Sequence, residues 1–306
     1  MTDIEAKSIT LVSPSRLRTY LECPKRYNYV YVQELISKAP QKGYFNKGNY
    51  FHELSHVYYQ YLKETGLQPG SDEAVAMITA RVRNDFTRVA AENQTELLNV
   101  YNVITRQIIR YIKEQSPKID GGITVQNVEQ QIIYPMENYA MFGYCDLVYR
   151  DRSGVLHIRD HKTGDRAQTK LDAQFSNQLL FYAAVIYKST GELPVAELNY
   201  VNTREAKKPI PYDSAFAFSP VTYSETELEI YFKEICAVIE DMLHSSAVPH
   251  YGQHCRYCPF QTPCYLSRKG INPTPIIAQH FTVVPRDKQG RHIAFTEDNT
   301  QDDSTD

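Results

Sequence analysis

Gly143-Tyr-Cys-Asp-Leu-Val-Tyr-Arg-Asp-Arg-Ser-Gly-Val-Leu-His-Ile-Arg-Asp-His-Lys-Thr-Gly164 is the stretch on which the reading of this chain turns. Two strand-like runs, 142–150 and 155–161, flank Asp151-Arg152-Ser153-Gly154. A glycine closing a short polar link between apolar runs predicts a hairpin. Asp146 falls inside the first run. Asp160 and Lys162 end the second and, two residues apart, share one face of the strand. The hairpin therefore sets one carboxylate beside a second carboxylate and an ammonium. Carboxylates that close repel unless a hard cation separates them, and Mg²⁺ or Mn²⁺ prefers oxygen ligands. A lysine next to such a cation orients or deprotonates a water, which is the equipment of metal-assisted phosphodiester hydrolysis. An Asp-x-Lys triplet alone also arises by chance at solvated strand ends, so its surroundings decide.

Downstream, residues 172–189 have helical periodicity, with Phe175, Leu179, Tyr182 and Ile186 inward and Gly191 as the stop. Gln178 and Tyr182 lie four apart on one face, within reach of a phosphate or of Lys162. A half-buried Gln beside a core Tyr is the bland alternative. A strand at 195–201 follows, and then a helix opened by the Ser224/Glu227 capping box and running to about His244. Upstream, 123–133 reads as a strand. Helical periodicity covers an insert at about 70–115, a helix at 48–63, and a helix opened by Ser13-Pro14 that stops near Cys23. His52, on the helix at 48–63, is able to complete a metal site with Asp146 and Asp160. This order predicts an α/β (α+β) fold: a small mixed sheet flanked by helices, with the carboxylates at strand ends. A single domain is expected over 1–269. Residues 270–306 read as irregular, with an acidic and partly disordered end.

The net charge of −3 does not advertise a nucleic-acid binder. Five acids fall in the last ten residues, so the rest of the chain is near neutral and a polyanion site must be a local basic patch. The longest apolar run, Leu179 to Tyr187, is too short to cross a membrane. The first residues lack the basic-then-apolar order of a signal peptide, so a cytoplasmic protein without a membrane partner is expected.

Six cysteines in such a chain point to metal or thiol chemistry rather than disulfides. Cys23 stands apart from Cys255-x2-Cys258-x5-Cys264. A zinc ribbon has two Cys-x2-Cys knuckles and here there is one, whereas one plus three thiolates fit a 4Fe-4S cluster. Structural zinc, with His250 or His254 as a fourth ligand, is the competing reading. Cys145 and Cys236 read as buried small hydrophobes. His52-Glu53-Leu54-Ser55-His56 spells H-E-x-x-H, so a zinc metallopeptidase is a second function class. That reading leaves Asp146, Asp160, Lys162 and the cysteines unexplained. A non-catalytic iron–sulfur DNA-binding partner of a helicase is a third.

Six pieces in order, Tyr20-x2-Cys23-Pro24, Gly48-x3-His52, Gly143-x2-Asp146, Asp160-x-Lys162-Thr-Gly, Gln178-x3-Tyr182 and the C-terminal cysteines, resemble the PD-(D/E)XK nuclease superfamily. The likeness is to its RecB-like branch with an iron–sulfur staple, the type of the AddB nuclease domain, the CRISPR-associated RecB-like exonucleases and exonuclease V. It implies a restriction-endonuclease-like core. It implies that His52, Asp146, Asp160 and the backbone carbonyl of His161 hold Mg²⁺ or Mn²⁺, that Lys162 positions the attacking water, and that Gln178 and Tyr182 support the lysine and the DNA backbone. Cys23, Cys255, Cys258 and Cys264 would hold the cluster. The implied reaction is exonucleolytic cleavage of DNA at single-stranded ends, in repair, recombination or CRISPR adaptation. No phosphate-cradling motor motif is present, so any helicase is a separate protein.

Overall fold

Ser13 opens the first helix by accepting a hydrogen bond from Arg16 N at 3.3 Å, and extended Cys23 ends it before Pro24. The computed structural model describes residues 9–38, 47–91, 95–166, 168–206 and 208–285. In chain order the elements are β1 (Thr10–Val12), α1 (Pro14–Glu22), α2 (Pro24–Tyr27), β2 (Leu35–Ser37), α3 (Lys47–Thr65), α4 (Asp72–Ala91), α5 (Thr95–Arg110), α6 (Ser116–Ile119), β3 (Thr124–Pro135), β4 (Tyr139–Arg150) and β5 (Leu156–Gly164). They continue with α7 (Lys170–Gln174), α8 (Asn177–Thr190), β6 (Val195–Asn202), α9 (Tyr212–Ala215), β7 (Phe216–Thr222), α10 (Glu225–Leu243), α11 (Gln261–Arg268), α12 (Thr274–His280) and β8 (Phe281–Val283).

The main sheet is mixed, as expected, with the order β1-β4-β5-β6-β7, and β3 also pairs with β4. The β4–β5 hairpin is antiparallel, in the register Leu147↔Arg159 to Arg150↔Leu156. Its turn is closed by Asp151, whose Oδ1 accepts from Ser153 N and Val155 N, and by Gly154 at φ 81°. β5 runs parallel to β6, so the sheet there is covered on both faces, which explains why β5 buries polar as well as apolar residues.

The chain forms two compact units. The larger comprises Gly43–Ile132 and Tyr144–Phe232. Its core joins Tyr50, Phe51 and Leu54 of α3, Ile78 of α4, Ile104 and Ile108 of α5, and Leu147 and Tyr149 of β4. The helical insert is thus part of the packing that backs the hairpin. The long helix expected from 172 is two, because Ser176 caps α8 through Leu179 N. Phe175 falls at the break and is 70% exposed rather than inward.

The smaller unit comprises Met1–Lys42, Ile133–Gly143 and Lys233–Asp306. Here β1 lies parallel to Tyr139–Met141, and Tyr20 donates to Asp241. The stretch after Gly270, expected to be irregular, contains α12 and β8, and β8 pairs antiparallel with β2. What fixes it is a small stack in which Phe260 lies 4.8 Å from Tyr29 and 4.7 Å from Phe281. The acidic end, from 286, lies outside the described residues. Among the described residues no helix is long and apolar enough to cross a membrane.

Candidate active site

Asp146 and Asp160 each stand one residue beyond the Leu147↔Arg159 pair, where the hairpin ladder gives way to side-chain bonding. Asp146 Oδ2 accepts from His161 N at 2.7 Å and lies 3.3 Å from His52 Nδ1. Burial works against the protonation of His52, but the bond to Asp146 and the charges of Asp146 and Asp160 outweigh it and raise its pKa. Burial likewise opposes ionisation of Asp146, and His52 and His161 outweigh it and lower its pKa. Each member of the pair thus favours the charged form of the other.

The third donor is one that sequence reasoning missed. Donor atoms of His52, Asp146 and Glu129 all lie within 4.8 Å of one another, the one such group among the described residues. Glu129 is a non-glycine residue at φ 50° in the middle of β3, a backbone state seldom kept without a reason. Burial, with the charge of Asp146, pushes its carboxyl up to about 7. Asp160 is pushed up to about 6, again by burial first, with the Lys162 charge opposing and that of Asp146 adding. Three crowded acids, two of them reluctant to ionise, fit a divalent cation, which would favour the ionised form of those two. Asp160 Oδ2 is buried with no hydrogen-bond partner, although Lys162 Nζ lies 2.7 Å away outside bonding geometry.

Lys162 Nζ donates to Asp160 Oδ1 at 3.0 Å and to Gln178 Oε1 at 2.9 Å. Gln178 Nε2 in turn donates to Tyr182 Oη at 3.0 Å. This relay joins β5 to the first turns of α8, and burial raises the Tyr182 hydroxyl's pKa, keeping it neutral. The other half of the H-E-x-x-H pattern is not engaged with it: Glu53 pairs with Arg81 on α4, and His56 belongs to no donor group among the described residues.

Behind the site lies a second set that the sequence did not announce. Arg159 is fully buried between Asp120, at 2.5 Å, and Glu197, at 2.8 Å, and also donates to Tyr59 and Tyr149. Tyr59 stacks on the ring of His161 at 5.6 Å, and Asn199 bonds His161 Nδ1 at 2.7 Å. Burial pushes the His161 imidazole down to about 3, so it is neutral. These contacts anchor both neighbours of Asp160 from the opposite face of β5.

In the smaller unit, Cys23, Cys255, Cys258 and Cys264 line one cavity of about 130 Å³. Burial pushes the thiols of Cys258 and Cys264 up, with Cys23 and Cys255 adding to the effect. No three of these sulfurs lie within 4.8 Å of one another among the described residues. Four thiolates on a single tetrahedral zinc would be roughly 3.8 Å apart, given Zn–S bonds near 2.3 Å. Cys145 is buried between the carbonyls of Leu147 and Arg159, and Cys236 is half-buried; neither joins the set.

A mixed sheet whose hairpin delivers two carboxylates and a lysine to one end, with helices on its faces, is a restriction-endonuclease-like core. The chain belongs to the PD-(D/E)XK nuclease superfamily, whose family model matches residues 11–265. Nucleases of this class use divalent metals, and the His52–Glu129–Asp146 group is a candidate donor set for one. A search of curated proteins finds no match. Among solved structures, the chain is similar to a candidate exonuclease from Eubacterium rectale, with 10% identity over 83% of this chain and 89% of that one and a TM-score of 0.44. It is also similar to SSO0001, with 12% identity over 86% and 87% and a TM-score of 0.33.

Proposed function

We propose that this protein is a RecB-like, Mg²⁺- or Mn²⁺-dependent deoxyribonuclease that degrades DNA from single-stranded ends. The observation that carries the reading is the meeting of His52, Glu129 and Asp146 beside the Asp160–Lys162–Gln178–Tyr182 relay. In this reading those three residues, with Asp160 and the His161 backbone carbonyl, hold the divalent ion, which when bound supplies Lewis acidity and a more acidic water. Lys162, aimed by Gln178, positions the water and meets charge developing on the phosphate oxygens. Tyr182 fixes the Gln178 amide so that its carbonyl faces the lysine. Substrate ends reach the site as single strands, so a separate helicase, recombination or CRISPR-adaptation protein that unwinds or delivers DNA is the proposed partner, in the cytoplasm.

The cysteine cavity is proposed to hold a 4Fe-4S cluster. Four soft donors, no three of them mutually within 4.8 Å, around a volume many times that of one water, support a polynuclear group over a single ion.

The test uses anaerobically purified protein on linear single strands, linear duplex and a covalently closed single-stranded circle, with Mg²⁺, Mn²⁺ or EDTA. Expected are cleavage that needs the metal, fastest on the linear single strand, and a brown protein containing iron and sulfide. Activity in EDTA would remove the metal role. Equal rates on circle and linear strand would remove the exonuclease assignment, and zinc without iron would remove the cluster.

A further inference from the structure

From Met242 to Arg286 the chain contains no Asp or Glu, while it carries Arg256, Arg268, Lys269 and Arg286. In a chain of net charge −3, that is a strong local segregation. The same segment exposes Tyr251, Tyr257 and Tyr265 at 56%, 83% and 58%. Tyrosines elsewhere in this unit, such as Tyr20, Tyr27 and Tyr29, are packed away. The Arg268 guanidinium lies 5.0 Å over the Tyr251 ring, and the Lys269 ammonium 5.7 Å from that of Tyr265. Tyr251, Tyr265, Arg268 and Lys25 line the cysteine cavity. Tyr257 stands on the Gln253–Tyr257 turn, between Cys255 and Cys258. Lys25, Arg256, Arg268 and Lys269 form no ion pair among the described residues, whereas nearby Arg26 is held by Glu22 at 3.0 Å.

Open aromatic faces interleaved with uncompensated cations match a strand of unpaired nucleotides. Each base offers a π-face to stack, and each phosphate a charge to neutralise. A duplex hides those faces in its own stack. We infer that this acid-free segment is a binding surface for single-stranded DNA, separate from the carboxylate site, with Tyr251, Tyr257 and Tyr265 as stacking platforms and Arg256, Arg268 and Lys269 on the phosphates. The inference rests on the nuclease reading only for the identity of the polyanion. An acidic protein would meet the cations but leave the three rings without a use.

The experiment is fluorescence anisotropy of the full, cluster-containing chain in EDTA, so that nothing is cut. The probe is a labelled oligothymidylate of about 15 nucleotides, a length chosen to fill such a site. Tyr257→Ala and Tyr265→Ala should each weaken binding on the order of tenfold, and Tyr257→Phe should stay within about twofold, because stacking needs the ring and not the hydroxyl. Arg256→Gln should flatten the salt dependence by about 0.7 in the slope of log K against log salt. Tyr251 is left intact because it hydrogen-bonds Cys264. Unchanged visible absorption and melting of the variants show that the fold has survived. Wild-type affinity in both alanine variants, or equal affinity for a duplex probe, overturns the surface. If the variants bind and cleave as the wild type does, the surface alone falls. If the wild type neither binds nor cleaves DNA with any divalent ion, the nuclease reading falls with it.

Discussion

Asp160 stands on a strand buried from both sides, next to a guanidinium held by two acids and two tyrosines. Cys258 stands on a turn backed by a core of four buried side chains, Tyr29, Leu35, Phe260 and Phe281. The first site is assembled by the protein before any cation arrives. The large core of its unit and the Arg159 network hold its carboxylates together against their own repulsion. The second has too little apolar surface behind it to hold four thiols in place, since small cores are marginal without a staple. Metal should therefore add function to the first site and fold to the second.

Removing the proposed cluster is the severest way to break this comparison. Structural metal sites contribute on the order of 10 kcal/mol of folding free energy. Cys255→Ser should leave residues 245–285 open to trypsin at Arg256, Arg268 and Lys269, while EDTA removal of the divalent ion from the wild type leaves the digestion pattern unchanged. A cluster-free variant that resists trypsin as the wild type does would make the two sites alike. Next in size is Arg159→Met. It strands Asp120 without a counter-charge and leaves Glu197 only His157, and breaking a buried pair from one side costs about 3–5 kcal/mol. Urea unfolding should show that loss in the larger unit. A loss below about 1 kcal/mol would mean that the two acids are neutral in the fold.

How much of this was legible in the sequence differs between the regions for the same physical reason. The hairpin was readable because its turn chemistry and alternation are local, and Asp146, Asp160 and Lys162 followed from strand period alone. Gln178 and Tyr182 followed from helical period, and the structure brings them to Lys162. The cysteines were readable as a set because thiols are rare and their spacing is short-range. Glu129 was not, because its aim depends on a left-handed residue inside β3 that no composition signals. Arg159 drew no notice in the sequence, since its partners Asp120 and Glu197 are distant along the chain and only the parallel β5–β6 pairing brings Glu197 opposite it. The short strands β1, β2, β7 and β8 escaped for the same reason, each being defined by a partner far along the chain or by an edge. Phe175 was misplaced because a serine cap divides one apparent helix in two.

Smaller effects separate function from fold within the larger unit. Lys162→Ala should lower the cleavage rate by ~10²–10³ with melting unchanged, because it removes charge stabilisation from a half-exposed group. Parallel losses of rate and stability would place the lysine in the framework instead. Glu129→Gln should raise the Mg²⁺ concentration for half-maximal rate by roughly tenfold, the size expected when one supporting group of a metal site is lost. An unchanged metal requirement would reduce Glu129 to a bystander, and the donor set to His52, Asp146 and Asp160.

The smallest effect tests whether the framework is charged. His157 Nδ1 lies 2.8 Å from Glu197 Oε1, on the same carboxylate that bonds Arg159. Burial disfavours the imidazolium, but Glu197 and then Asp151 outweigh it, and the His157 pKa is raised. Burial also disfavours ionised Glu197, and Arg159, His157 and Tyr149 outweigh it, so its pKa is lowered. A raised histidine stabilises fully below its ordinary value of about 6.5 and loses that contribution as pH rises through the folded value. A lowered glutamate stabilises fully above its ordinary value of about 4.3 and loses it as pH falls through the folded value. The pair is thus at full strength between roughly pH 4.3 and 6.5. His157→Gln should cost on the order of 1 kcal/mol at about pH 5.5, and the cost should shrink as the wild type is titrated toward about pH 9. Denaturant unfolding of both proteins across that range measures it. A cost that grew with pH would mean that His157 is neutral in the fold, leaving Arg159 alone to balance both acids and making the framework behind Asp160 weaker than the comparison requires.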